Sequence, residues 1–399
     1  MSSLLPALDG GTRPAHLSTR VDTVIDQAIA AHRLVGAVVL VARDGELVHR
    51  RAAGLADREA GLRMREDTLF RLASVSKPIV SAAAMVLVAQ GRLALDETVT
   101  RWLPAFQPRL AGGSAAAITV RQLMTHTAGL GYRFFEADGN GPYARAGVSD
   151  GMDLPGITLA ENLRRIASVP LLYAPGTAWG YSLATDVLGA VIERACDTPL
   201  GDAVRTLVTG PLGMDDTGFF VDAANAGRLA TAYVNDAPVP RRMQAQDVAP
   251  VVDGTAGIHY APARALDAGA FPSGGAGMVG SAGDLLRLLE VLRQGGRPLM
   301  PAAWVDEMGS NQTGEWGPPD APGTGFGLGF SVLHDPLAAG SPESPGTWRW
   351  GGAYGHSWFV DRARGLSVVA FTNTLYEGMS GRFVTDLRDA VYAAGTVAR

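Results

Sequence analysis

Apolar residues recur at helical spacing from Leu17 to Leu34, with Val21, Val24, Ile25, Ala28 and Ile29 on one face, so this stretch predicts an amphipathic helix. Val35 to Ala42 is short and apolar throughout, which predicts a buried strand. Asp44-Gly45 is a hairpin turn signal, and Glu46 to Ala53 is the expected return strand. Ser74 to Gln90 is apolar on nearly every side after its first turn, which predicts a central, buried helix. Gly91 is placed to cap that helix. Pro78 is tolerated only in a first helical turn, so the helix must start close to Ser74.

From about residue 92 to 230 the pattern is helical and loop-rich. Val120 to His126 predicts a short helix, Thr158-Leu-Ala-Glu161 a capped start for a helix to about Ser168, and Ala184 to Ala195 another apolar helix. Residues 232–277 hold many Pro, Gly and Asp with little periodicity, the mark of a long loop region that often forms a lid or binding wall. Ser281-Ala-Gly-Asp284 caps a helix through Arg293. Strand patterns return at Gly325–Leu333, Thr347–Tyr354, Ser357–Val360 and Leu366–Asn373, and Phe383 to Ala394 closes the chain as a helix. Strands at both ends with helices between predict an α/β (α+β) fold. One antiparallel sheet is assembled from residues 1–91 and 295–399, flanked by helices, with a mostly helical domain, 92–294, inserted.

Composition narrows the function classes. The 399 residues are 47% hydrophobic and 18% charged, a globular balance that supports a large core. The net charge of −5 and the lack of a basic patch point away from nucleic acid and anionic membranes as partners. Cys196 is the single cysteine, so no internal disulfide is expected. Met1 to His16 lacks the basic and apolar regions of a secretory signal, and the longest apolar run, Ile79 to Ala89, is too short to span a bilayer. A soluble cytoplasmic protein is the expectation. The histidines show no His-x-x-x-His pairing, so no metal and no cofactor are expected.

One basic residue stands apart. Lys77 is the only lysine among 34 Lys and Arg residues. Lysine can give up its proton where arginine cannot, so a site needing a neutral amine excludes arginine. Ser74-Val-Ser-Lys77 places a serine and that lysine one helical turn apart on one face. A helix N-terminus supplies positive field and free N–H groups for an oxyanion. Ser74 is the candidate nucleophile and Lys77 its activating partner. Ser76 points about 100° away and is given a structural role. Tyr181-Ser-Leu183 offers a tyrosine that can relay protons to a leaving group; a core or capping tyrosine is the plain alternative. Trp350-Gly-Gly352 ends an alternating strand, where glycines mark close backbone approach, and the N–H of Ala353 is the candidate second oxyanion donor beside that of Ser74.

These segments carry a resemblance. Ser74-Val-Ser-Lys77, Leu123-Met-Thr-His-Thr-Ala-Gly-Leu130, Tyr181-Ser-Leu183, and Trp350-Gly-Gly352 followed by Tyr354-Gly-His-Ser-Trp-Phe-Val-Asp361 resemble, in order, the serine hydrolases of the β-lactamase / DD-peptidase fold. The match spans nearly the whole chain and is most similar to the family VIII carboxylesterases. The resemblance implies nucleophile, lysine and tyrosine at Ser74, Lys77 and Tyr181, and oxyanion N–H groups on Ser74 and Ala353. Two departures from the lactamase pattern matter. Leu183 stands where lactamases carry Asn, and Trp350-Gly-Gly352 stands where they carry Lys-Thr-Gly. An indole cannot hold a substrate carboxylate as a lysine does, and it widens an apolar wall, so neutral esters are favoured over penicillin-like acids.

Rival readings are weaker. Gly147-Val-Ser149-Asp-Gly151 fits the Gly-x-Ser-x-Gly nucleophile elbow, but no strand precedes it and no helix follows. A β-lactamase or DD-peptidase-like acyl transferase, and a non-catalytic ligand-binding module, are the remaining alternatives. The reading adopted is a serine carboxylesterase acting on small, short-chain esters through an acyl-enzyme on Ser74. Tyr132, Trp179, Trp350, Gly351, Gly352 and Trp358 are candidate pocket residues, with core packing the alternative for the aromatic ones. His126 is expected to hold the Tyr132 loop, His356 to be a satisfied strand histidine behind the Trp350 strand, and Asp186 either to orient Lys77 or Tyr181 or to serve only as a helix N-terminal charge.

Overall fold

The structure is a computed structural model, and it describes residues 15–393. The N-terminal segment read above for a secretory signal therefore lies outside the described residues up to position 14, as does Ala394 at the end of the last expected helix. Helix α1 (Ala15–Ala30) leads into strands β1 (Gly36–Arg43) and β2 (Glu46–Asp57), joined at Asp44-Gly45, and a short β3 (Leu62–Arg63). Strand β4 (Phe70–Arg71) precedes a 3-10 turn, Ala73–Val75, that runs directly into α2 (Ser76–Ala89). The helical region holds α3 (Val120–Met124), α4 (Leu159–Ser168) and α5 (Ala184–Cys196). Strand β5 (Val279–Gly280) pairs with β4. Helices α6 (Ala282–Arg293) and α7 (Ala302–Gly309) follow, then β6 (Thr324–Phe326), β7 (Ser331–Leu333), β8 (Trp348–Gly352), β9 (His356–Asp361), β10 (Leu366–Thr372) and α8 (Arg382–Tyr392).

The main sheet has eight antiparallel strands in the order β6-β7-β8-β9-β10-β1-β2-β3, so the two chain ends meet at the β10–β1 pairing, as expected. Alternation along β1 explains its unbroken apolar run. Ala37, Val39 and Val41 face α1 and α8, packing with Val21, Ile25, Phe383 and Leu387. Val38, Leu40 and Ala42 face the other way, into the core that contains α2. A strand covered on both faces has no solvent side to carry polar residues.

Helix α2 is buried along almost its full length, against α5 and the segment after it. Its start is anchored by Ser76, whose Oγ accepts the Met278 N–H at 3.1 Å, the structural role expected for that serine.

Three differences from the sequence reading have physical causes. Gly325 to Leu333 is not one strand but the hairpin β6–β7, because Gly329 has φ +111 and a Cβ there would lie 2.3 Å from Ser81 Oγ of α2. Helix α6, grouped with the helical domain by the boundary at 294, packs on β1 and β10 and so covers the sheet. Helix α7 was not predicted; only Val305 and Met308 of its eight residues are buried, too weak a stripe to read. Residues 232–277 form loops with two short pairings, Tyr233–Val234 with Arg241–Arg242 and Asp247–Ala249 with Ile258–Tyr260. Among the described residues, no helix is long and apolar enough to cross a membrane.

Ser281 Oγ accepts the Asp284 N–H at 3.3 Å and caps α6. Ser281→Ala is expected to cost about 1 kcal/mol of stability. A lower urea midpoint with unchanged slope and unchanged turnover is the expected result.

Candidate active site

Ser74 lies in the 3-10 turn that opens α2, and the residue before it is unusual. Ala73 is fully buried with φ +46, a left-handed conformation that side chains with a Cβ rarely adopt. Such strain persists only where surrounding contacts over-determine it, and it gathers at functional sites. One turn on, Lys77 is completely buried. Its Nζ has three acceptors: Ser74 Oγ at 3.3 Å, Tyr132 Oη at 3.0 Å and the Gly275 carbonyl at 2.8 Å. Tyr181 Oη lies 2.6 Å from Ser74 Oγ, and Lys77 Nζ sits 4.5 Å from the centre of the Tyr181 ring. The nucleophile candidate is thus flanked by an amine and a phenol, both within proton-transfer reach.

Beside this cluster runs the end of β8. It contacts the Ala73–Val75 turn, and a Cβ on Gly352 would fall 2.4 Å from the Leu72 carbonyl oxygen. Only glycine lets the strand come this close. Ala353, the next residue, is buried at the same junction. The neighbouring Gly351 serves packing, since a Cβ there would lie 2.7 Å from the His356 carbonyl oxygen and 2.9 Å from Met379 Cγ. His356 pairs with Gly352 across the strands, and its Nε2 lies 2.8 Å from the Arg71 carbonyl oxygen, tying β9 to β4 behind the site. Burial lowers its pKa to about 4, so it is neutral at physiological pH.

Several expected residues take other positions. Tyr132 is not a pocket wall: it is a buried partner of Lys77, stacked on Phe134 with 4.4 Å between centroids. Burial holds its phenol well above the usual range, with the Tyr181 and Asp186 neighbours adding to the effect. Trp358 is not a wall either, being 2% exposed and packed edge-on against Phe330 in the core. His126 holds the Tyr181 segment rather than the Tyr132 loop. Its Nδ1 lies 3.1 Å from Ser182 Oγ, and its carbonyl accepts the Gly180 N–H at 3.0 Å. Burial, assisted by the Lys77 charge, keeps this imidazole neutral.

Asp186 is more than a helix-terminal charge. It is fully buried in the first turn of α5 against Gly275, where a Cβ would meet Asp186 Oδ2 at 2.7 Å and Lys77 Nζ at 3.5 Å. Burial raises its pKa, and Ser273 and Lys77 pull in the opposite direction.

Trp179 and Trp350 are half-buried and lie beside Tyr181 and Phe326. The Trp350 ring lies 5.3 Å from that of Tyr181 and 5.1 Å from that of Phe326, and Trp179 lies 5.6 Å from Phe326. Phe326 and Gly275 are additions that pattern reading missed. Phe326 was absorbed into a presumed strand, and Gly275 contributes a backbone oxygen, which leaves no mark in a sequence. Ser149, the rival nucleophile, is buried with its hydroxyl bonded to Asp153. Among the described residues, no group of His, Cys, Asp and Glu is arranged to hold a metal ion.

Known proteins align with this architecture. The beta-lactamase family model matches residues 21–393. Esterase EstB of Burkholderia gladioli is 56% identical over 380 residues, covering 95% of this chain and 96% of that protein. The structure of EstCE1, described as a hydrolase with promiscuous acyltransferase activity, superposes with a TM-score of 0.90 at 46% identity, covering 95% of this chain and 99% of that one. A penicillin-binding protein homologue from Caulobacter crescentus shares the fold at TM-score 0.72 and 23% identity, covering 96% and 99%. A match of this extent, with the serine, lysine and tyrosine brought together in one partly buried cluster, means that the chain belongs to the beta-lactamase family.

Proposed function

We propose that this protein is a serine carboxylesterase that hydrolyses short-chain carboxylic esters through an acyl-enzyme on Ser74. The observation that carries the reading is Ser74 Oγ held between Tyr181 Oη at 2.6 Å and Lys77 Nζ at 3.3 Å, at the start of a buried helix. The 56% identity to a protein named as an esterase supports the choice of ester. Half-buried Trp350 and Trp179 support it as well, since they offer an apolar wall and no cation for a substrate carboxylate.

In this mechanism the Ser74 proton passes to the Lys77–Tyr181 pair as Oγ attacks the ester carbonyl. The two groups are coupled and act as one proton acceptor. The N–H groups of Ser74 and Ala353 receive the oxyanion, each such donor being worth about 3 kcal/mol in the transition state. Collapse breaks the C–O bond, and the alkoxide takes the proton back through Tyr181. Water, deprotonated by the same pair, then attacks the acyl-enzyme and releases the acid. No cofactor enters any step.

Three outcomes are expected. Lys77→Arg puts a permanently protonated guanidinium, which cannot accept a proton, in place of the amine, so kcat for a p-nitrophenyl ester should fall by roughly 10²–10⁴-fold with the fold intact by circular dichroism. Near-wild-type turnover in that variant would sink the mechanism. Gly352→Ala should push β8 away from Leu72 and lower kcat by about 10²-fold with a smaller change in KM; an unchanged kcat would remove Ala353 from the oxyanion site. Wild type and Ser74→Ala should also be compared on a p-nitrophenyl ester and a chromogenic cephalosporin. Ester turnover that disappears in Ser74→Ala, with little lactam opening, is the expected result. Efficient lactam opening would overturn the ester assignment.

A further inference from the structure

The Gly147-Val-Ser-Asp-Gly151 motif takes no part in the chemistry above, yet it is built with care. The loop is pinned to α4: Ser149 N–H donates to Asn162 Oδ1 at 2.9 Å, and Asn162 Nδ2 donates back to the Ser149 carbonyl at 3.0 Å. From this anchor two neighbouring residues reach toward the surroundings of Lys77. Asp150 is buried, and its Oδ1 accepts at 3.0 Å the N–H of Arg133, the residue directly after Tyr132. Gly151 has φ +84 and packs so tightly on Ser273 that a Cβ would lie 2.1 Å from Ser273 Oγ. That Oγ accepts the Ala276 N–H at 3.1 Å, and the Ser273 carbonyl accepts the Gly277 N–H at 2.9 Å, closing the turn that presents the Gly275 carbonyl to Lys77.

Apart from Ser74 Oγ, the acceptors of Lys77 Nζ are therefore both carried on loops, and both loops are braced from behind by one five-residue segment. A lysine amine on a flexible stem is located by its acceptors, and acceptors on loops need support to hold sub-ångström geometry. We propose that Gly147–Gly151 is a positioning element for Lys77, in which Asp150 sets Tyr132 and Gly151 sets the Gly275 carbonyl. The inference rests on Lys77 acting as proton acceptor in the esterase reaction.

Asp150 also gives the brace a pH dependence. Burial raises its pKa to about 7. The charged and titratable groups facing it are Arg133, whose Nε lies 3.6 Å from Oδ2, Asp153 on the same loop, and the phenols of Tyr132 and Tyr143. Above that value the carboxylate pairs with Arg133 and grips the Tyr132 loop. Below it the carboxyl is neutral and Arg133 loses that counter-charge. Because the folded pKa is raised above the ordinary carboxylate value, the stability contribution of the protonated form is present at low pH and is lost as pH rises through about 7.

The test compares Asp150→Ala, Asp150→Asn and Gly151→Ala with wild type in p-nitrophenyl ester hydrolysis across pH 5–9. Leu387→Ala, a core truncation on the opposite face of the sheet, is the destabilised control. The brace predicts that Asp150→Ala and Gly151→Ala lower kcat by at least about tenfold with KM changed less than about threefold. It predicts that Asp150→Asn, which keeps an acceptor for Arg133 N–H but lacks the counter-charge, holds kcat across the range near the level wild type shows below pH 7, and so lacks the kinetic limb near pH 7. Leu387→Ala should keep the wild-type profile below its melting temperature. If Asp150→Ala does not fold, the Asp150→Asn profile and the Gly151→Ala rates decide. An Asp150→Asn profile superimposable on wild type, or Gly151→Ala within about twofold of wild type, would overturn the proposal. Ser74→Ala runs beside them: if it is inactive while these variants are unaffected, only the brace falls, and if it retains ester turnover, the esterase reading itself falls.

Discussion

The burial of the Lys77 amine is the constraint around which the molecule is organised. An amine removed from water must have its hydrogen bonds supplied by the protein, or the cost is several kcal/mol. The supply comes from separate parts of the chain: Ser74 at the helix start, Tyr132 after α3, and Gly275 in the turn before β5, with Asp186 of α5 nearby. These elements are far apart in sequence and meet only because α2 runs through the middle of the core. The burial of α2 on nearly every side fits this, since a helix that carries a buried amine at one end can have no solvated face near it.

The serine end of α2 meets a second constraint, that of close backbone approach. Ala73 is held in a left-handed conformation, and β8 comes near enough to Leu72 that glycine is required at position 352. His356 closes this junction from behind, neutral and tied to the Arg71 carbonyl. Backbone N–H groups can act as oxyanion donors only when they are held in place before the substrate arrives. In the proposed mechanism the strain at Ala73 and the tight β8 contact are two sides of that requirement. The sheet, in turn, holds β8 through its pairing with β9 and β10 and the helices packed on both faces.

The aromatic residues divide by their distance from this junction. Trp350 and Trp179 stand half-buried with Tyr181 and Phe326. Trp348 and Trp358 lie on the same stretch of sheet but are packed against Phe330 in the core. Residue type alone does not separate these two pairs. Nor does register, because Trp350 is paired with Trp358 across β8 and β9 and so points to the same face of the sheet; only Trp350 reaches the Tyr181 side of the cluster.

The amino-acid sequence by itself determined the main elements and the candidate reacting groups. Period and run length located the sheet strands from both chain ends, and Pro78 fixed where α2 begins. A lone lysine one turn from a serine identified the candidate reacting pair, because spacing along one helix is a local property. Tyr181 and Ala353 were reached through short motifs and a resemblance, since their distance to Ser74 is not a local quantity. Only the tertiary structure decided that Tyr132 serves Lys77 rather than a wall, that Trp358 is core, and that His126 supports Tyr181. It also decided that a backbone oxygen of Gly275 completes the amine's shell. Each of these depends on which loops pack together across the fold, and a carbonyl is carried by every residue type's backbone, so no letter in the sequence announces it.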